Sequence, residues 1–200
     1  MRSESAAGDD INQCVYMETN IIIEELRAKA SFDLDPEQKA WFEQQANDAR
    51  AVECVPMRDV LTPGQLEFLF RNIGYKTQQK MCFKNASELV DALEWIARHY
   101  DSTVPPVKYV EGFAYSCGLL PIEHAFAKVG DKYIDPTFER ALHLDVRKEL
   151  YVSCIEFDPE TMRKYQQETG YYGELYVYDY FCKNRPDLAE RIRANNPHKS

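Results

Sequence analysis

The chain has 200 residues, 44% hydrophobic and 28% charged, with 10 Phe, 13 Tyr and 2 Trp, a composition that suits one globular domain with an aromatic core. Its formal net charge of −9 argues against a nucleic-acid partner, because phosphate backbones attract basic surfaces. No apolar run approaches the ~20 residues of a membrane-spanning helix. The opening MRSESAAGDD lacks the apolar stretch of a signal peptide, so the expected location is cytoplasmic.

Residues 1–9 read as disordered, and residues 10–200 as a single domain. A helix around Ile21, Ile22, Ile23 and Leu26 is expected within 10–31. Asp35-Pro36 starts a second over EQKAWFEQQANDAR, with Pro at the first helical position. Thr62-Pro63-Gly64-Gln65 starts a third, with Thr62 as cap and Gln65 at the capping-box position, and Gly74 as the stop. These elements make up an N-terminal helical part, 10–75.

The segment from Met81 or Cys82 to His99 carries apolar residues at 86, 89, 90, 93, 96 and 97, the helical spacing at its clearest in this chain. Pro105-Pro106 breaks the path, and the period changes to two. Val107, Tyr109, Glu111, Phe113 and Tyr115 alternate with the residues between them, as in a strand. Residues 122–129 and 132–137 read as two more strands joined by the two-residue turn Gly130-Asp131. LYVSCIEF (150–157) is a fourth strand. Asp158-Pro159-Glu160 then opens helical patterns that continue to about Asn195. The class is α+β, with a core at 76–157 and a C-terminal helical part at 158–200.

The six cysteines, at 14, 54, 82, 117, 154 and 182, form no Cys-x-x-Cys, and no His-x-x-x-His exists. No structural zinc site and no cofactor is expected. In a reducing compartment these are thiols, most of them small buried hydrophobes. His99 ends a helix, where the dipole favours it, and His143 and His198 carry no pattern. The run YYGELYVYDY (171–180) reads as a carbohydrate or peptide platform or, the favoured reading, as the packing face of a C-terminal helix.

The hairpin gives the first chemical signal. With Gly130 and Asp131 as turn residues, facing residue numbers sum to 261. Phe126 then faces Asp135, and His124 lies diagonally from Asp135 on the same face. Such diagonals are about 7–8 Å apart at the backbone, within reach of an imidazole–carboxylate hydrogen bond that fixes a tautomer and favours the protonated ring. A His–Asp pair needs a nucleophile. Cys82, opening the long helix where free N–H groups and the dipole favour a thiolate, is the best candidate. Lys80 and Lys84 add positive charge nearby. The Cys82 backbone N–H suits an oxyanion, and either Gln78 or Gln79 could add a side-chain donor. Asn85, one turn on, either touches the site or caps something local.

The segments KMCFKNASEL, KYVEGFA, IEHAFAKV and KYIDPT, in that order over about 78–138, resemble the transglutaminase-like branch of the papain-like cysteine enzymes. The resemblance implies a helix packed on an antiparallel sheet, flanked here by extra N- and C-terminal helices. It implies Cys82 as nucleophile, His124 as general base and acid, and Asp135 as its orienter. Asn85, Phe126 and Tyr109 are the substrate-groove candidates. Phe126 stands where the family usually has Trp, and Lys80 where it often has Gly. The function implied is cysteine-dependent acyl transfer on an amide or ester of a protein or peptide: peptidase, deamidase or transglutaminase-type. The alternative is an inactive relative that keeps the fold for binding or regulation.

Overall fold

The computed structural model describes residues 22–29, 31, 34–116 and 121–196. The expected disorder of 1–9, the start of the first helix, Cys14, Cys117 and His198 lie outside them. The elements in chain order are α1 (22–29), α2 (Pro36–Asp48), β1 (Arg50–Val52), α3 (Pro63–Glu67), α4 (Cys82–His99), β2 (Val107–Tyr115), β3 (Ile122–Val129), β4 (Lys132–Ile134), β5 (Leu150–Phe157), α5 (Pro159–Thr169), α6 (Leu175–Asn184) and α7 (Pro186–Ala194). The chain is α+β, as its sequence implies.

Local capping sets three of the helix starts. Asp35 accepts from the N–H groups of Glu37 and Gln38, each at 3.0 Å. Thr62 and Gln65 form the reciprocal capping box, and Asp158 accepts from Thr161 N at 2.9 Å. After Glu67 the helix widens into a π-type turn, Phe68–Asn72, before Gly74 ends it. The C-terminal part is not one helical run. Gly170, in the left-handed region at φ 79°, ends α5, and Pro186 separates α6 from α7.

The five strands form one antiparallel sheet in the order β1-β5-β2-β3-β4. The hairpin register is the one expected: Val129 faces Lys132, Lys128 faces Tyr133 and Ala127 faces Ile134. Two expectations are corrected. The 132–137 strand stops at Ile134, because Thr137–Ala141 winds into a second π-type turn. The N-terminal part is not wholly helical, because β1 supplies an edge of the sheet. Just past β1, Cys54 bridges Tyr133 of β4 in parallel, and Val55 N donates to Tyr133 O at 2.8 Å. The two edges therefore meet, and the sheet curls.

This curl creates two sides. Inside it, Val110, Phe126, Phe138, Val146 and Tyr151 pack with Cys54. Outside it, α4 buries Leu89, Val90, Leu93 and Ile96 against Tyr109, Ala125, Ala127 and Val129. Removing each of those four α4 side chains from water contributes roughly 1.5–3 kcal/mol before entropy is subtracted. A separate cluster joins Ile22, Leu26 and Ala46 to Phe113, Val152 and Tyr176. Gly112 lies between β3 and β5, opposite His124. A Cβ there would sit 1.9 Å from Val152 O, so only glycine allows β5 this close to β2 at the residue opposite His124.

Candidate active site

Asp135 follows β4 directly, and the turn after it turns two backbone N–H groups back onto its carboxylate. Thr137 N donates to Oδ1 at 2.8 Å and Phe138 N at 3.1 Å. The other oxygen, Oδ2, receives the Tyr151 hydroxyl at 3.1 Å and lies 2.7 Å from His124 Nε2. The diagonal expected from the hairpin register is thus a direct contact. It is also sealed, since Asp135 is 0% and His124 1% exposed. The Phe138 ring lies 4.6 Å from the imidazole, centroid to centroid.

Burial opposes charge on His124, but the Asp135 carboxylate more than offsets it through charge and hydrogen bonding, with Cys82 adding to the same effect. The imidazole pKa is pushed up to about 10. Nε2 is committed to Asp135, while Nδ1 is buried without a hydrogen-bond partner among the described residues. The structure thus leaves one ring nitrogen uncommitted on a histidine whose charge state is coupled to Cys82.

Cys82 is the first residue of α4 and is half-buried. No described side chain caps this end of the helix, so N–H groups of its first turn are free for a ligand. A buried polar chain ties the end in place. Asn85 Oδ1 accepts from Gln78 N at 3.0 Å, and its Nδ2 donates to Gln78 O at 2.7 Å and to Thr137 Oγ1 at 3.0 Å. Thr137 is the residue whose N–H binds Asp135. The nucleophile candidate and the His–Asp pair are therefore linked through Asn85 and Thr137, though they lie 42 and 53 residues apart by number.

The three groove candidates lie deeper than a groove. Asn85 is 1% exposed and is spent on the clamp just described. Phe126 is 0% exposed inside the curled sheet, its ring centroid 5.4 Å from that of Tyr151. Tyr109 is 0% exposed and donates to Glu111 Oε1 at 2.7 Å. Its phenol pKa is pushed well above the ordinary value by burial, then by Glu111, with Cys82 contributing. Of the two glutamines, both exposed, Gln79 Nε2 donates to Ala141 O at 3.3 Å, while Gln78 has its backbone clamped by Asn85.

A second buried acid lies outside the residues that the sequence pattern singles out. Glu111, 4% exposed, caps α6 by accepting from Leu175 N at 3.0 Å and Tyr176 N at 2.8 Å. Burial raises its pKa to about 7 against the lowering effect of these N–H groups and of Tyr109, and Glu174 adds to the rise. The signal was available: Glu111 sits in the apolar phase of the β2 alternation.

Among the described residues, no group of three His, Cys, Asp or Glu side chains is placed to hold a metal ion, and no helix is long and apolar enough to cross a membrane. The chain matches no protein-family model, no curated protein and no solved structure in comparisons with known proteins.

Proposed function

We propose that the chain is a cysteine-dependent acyl-transfer enzyme of transglutaminase-like fold, acting on an amide or ester of a protein or peptide. The observation that carries this reading is the buried His124–Asp135 pair, whose imidazole keeps Nδ1 uncommitted and is charge-coupled to Cys82 at an uncapped helix start. A structural histidine would be expected to use both nitrogens. A packing cysteine would be expected away from a helix end and a charged imidazole.

In the proposed reaction an imidazolium at His124 is the charge partner of a Cys82 thiolate. Sulfur attacks the carbonyl carbon, a C–S bond forms, and the carbonyl oxygen takes the displaced electron pair. The free N–H groups at the α4 start, with Gln78 as the better-supported side-chain donor, stabilise that oxyanion. Collapse breaks the bond to the leaving amine or alcohol, which takes the His124 proton. Neutral His124 then removes a proton from water or an acceptor amine as it attacks the thioester, and the thiolate leaves. Asp135 holds the ring orientation throughout and stabilises its charged form. Water gives hydrolysis or deamidation, and an amine gives transfer.

The test is alkylation at neutral pH followed by mass spectrometry. Cys82 is expected to react with iodoacetamide and with vinyl-sulfone probes faster than a free thiol and before Cys54, Cys154 and Cys182. Cys82→Ala should abolish the fast phase. A wild-type Cys82 no faster than a free thiol would overturn the reading in favour of a binding protein on the same fold.

A further inference from the structure

One cleft lies against the start of α4, lined by the sequence neighbours of Cys82 on either side and not by Cys82 itself. Its volume is about 420 Å³, and Lys80, Met81, Phe83 and Lys84 line it from the start of α4, with Tyr171 and Tyr172 opposite. The run 171–180 therefore divides. Tyr176, Tyr178 and Tyr180 are packing residues of α6, while Tyr171 and Tyr172 are 63% and 47% exposed. Met81 is 38% exposed, so three large apolar surfaces face solvent beside a proposed nucleophile. The wall is built rather than incidental. Gly173 lies flat against Phe83, where a Cβ would sit 2.1 Å from the ring. The next residue, Glu174, is held at φ 58° at the start of α6, whose first N–H groups Glu111 binds.

Charge is distributed along the cleft. Lys84 Nζ stands 5.8 Å from the Tyr172 ring centroid and 3.7 Å from Glu88. Lys80 is exposed, with φ 62°, and its side chain makes no ion pair or hydrogen bond among the described residues. In a chain of net charge −9, two lysines flanking one cysteine are a local reversal of sign. They lie next to the free N–H groups of α4, which favour negative charge as well. Glu174 also lines the cleft, so the two lysines outnumber one carboxylate there, and its charge raises the pKa values of Glu111 and Glu123.

Building on the acyl-transfer reading, we propose that this cleft is the side-chain subsite for the acyl donor. It selects a peptide with a large apolar side chain, aromatic above all, beside the attacked carbonyl and a carboxylate within reach of Lys80 and Lys84. The rings supply area and stacking geometry for the apolar group, and the lysines set its orientation.

Peptidyl vinyl sulfones that trap Cys82 read this directly. Four probes are needed, with Phe or Gly beside the electrophile and Glu or Lys as the neighbouring residue. The inactivation rate constant of the Phe/Glu probe should exceed that of Gly/Glu by about tenfold, the effect of partly burying one ring. Tyr172→Ala should bring the Phe:Gly ratio close to one, and Lys80→Glu should shift the Glu:Lys preference toward Lys. Ratios are read within each variant, so a general loss of folded protein cancels. If iodoacetamide reacts rapidly with Cys82 while wild type treats all four probes alike, the subsite is wrong and the acyl-transfer reading stands. A Phe:Gly preference that survives Tyr172→Ala also overturns the subsite. If iodoacetamide reacts no faster than with a free thiol, the acyl-transfer reading falls and the subsite with it.

Discussion

Asp135 and Glu111 are built alike and behave differently. Each carboxylate is buried, each accepts two backbone N–H groups at the start of a helical turn, and each takes a tyrosine hydroxyl. Asp135 has one partner more, His124. With that partner, burial fails to neutralise the centre and the imidazole keeps its proton to about pH 10. Without one, burial raises the Glu111 pKa to about 7 despite three donors. Hydrogen bonds alone do not hold a buried charge firmly here, but a counter-ion does. The same architecture thus gives a fixed ion pair at one position and a cap that titrates near neutrality at the other.

The largest expected effect comes from removing the acid that holds the histidine. Asp135→Ala leaves a buried imidazole, a tyrosine hydroxyl and two N–H groups without their acceptor. Losing one member of a buried pair costs about 3–5 kcal/mol, measurable by urea denaturation at pH 6. Asp135→Asn tests the charge more selectively. In wild type the folded imidazole titrates near 10 against an ordinary 6.5. The pair's contribution is therefore complete below pH 6.5 and is lost as pH rises toward 10. In Asp135→Asn only Cys82 still opposes burial, so the His124 pKa should fall well below its wild-type value, and that loss of stability between 6.5 and 10 should shrink. Nuclear magnetic resonance of the imidazole protons reads the first, and melting temperature against pH reads the second. An imidazole that still titrates near 10 would mean that Asp135 is not its counter-ion.

Glu111→Gln should have a smaller effect, visible mainly as a change of slope. The folded carboxyl holds its proton up to about pH 7, whereas an ordinary glutamate releases it near 4.5. Folding is therefore favoured by this group below 4.5, and the advantage is lost as pH climbs through 7. Glutamine cannot ionise, so the variant's melting temperature should fall less than that of wild type between pH 4.5 and 7. It still loses part of the α6 cap, because one amide oxygen replaces two carboxylate oxygens, at a cost of roughly 1–2 kcal/mol at low pH. Parallel pH curves for variant and wild type would refute the assigned titration.

The two centres were not equally legible. Asp135 and His124 follow from a hairpin whose turn fixes the register, so counting places them together. The helix from Cys82 is equally plain, because its apolar positions repeat at 3.6 residues; positions 86, 89, 90, 93 and 96 are buried in α4, Ala97 is half-buried, and Asn85, Ser87 and Ala92 are buried besides. The role of Glu111 depends on α6, whose start lies 64 residues further on. No local pattern announces that contact, and only a carboxylate in an apolar phase hints at it. Depth was hidden for a related reason. Periodicity places Phe126 and Tyr109 on faces, but it cannot show that the sheet curls around one and that α4 covers the other. β1 was missed because three residues are too few to display alternation, and its pairing with β5 spans about a hundred residues. The π-type turns at 68–72 and 137–141 leave no signature that separates them from ordinary helical turns.

The tyrosines give the smallest effects and the sharpest contrast. Each →Phe change deletes one hydroxyl that donates to a buried carboxylate, and a hydrogen bond of this kind contributes about 1–3 kcal/mol. At Glu111 the hydroxyl lowers the carboxyl pKa, since it favours the ionised form. Tyr109→Phe should therefore move the Glu111 transition to a pH higher than in wild type, and the stability cost should be larger at pH 8 than at pH 4, where the carboxyl is protonated in either protein. At Asp135 the same deletion leaves His124 and two N–H groups in place. Tyr151→Phe should lower stability without a pH-dependent cost of its own between pH 4.5 and 7, because the His124 imidazole stays protonated across that range. Melting temperatures of both variants at half-unit pH intervals make the comparison. If Tyr151→Phe shows the pH-dependent cost and Tyr109→Phe does not, the counter-ion is not what separates the two acids.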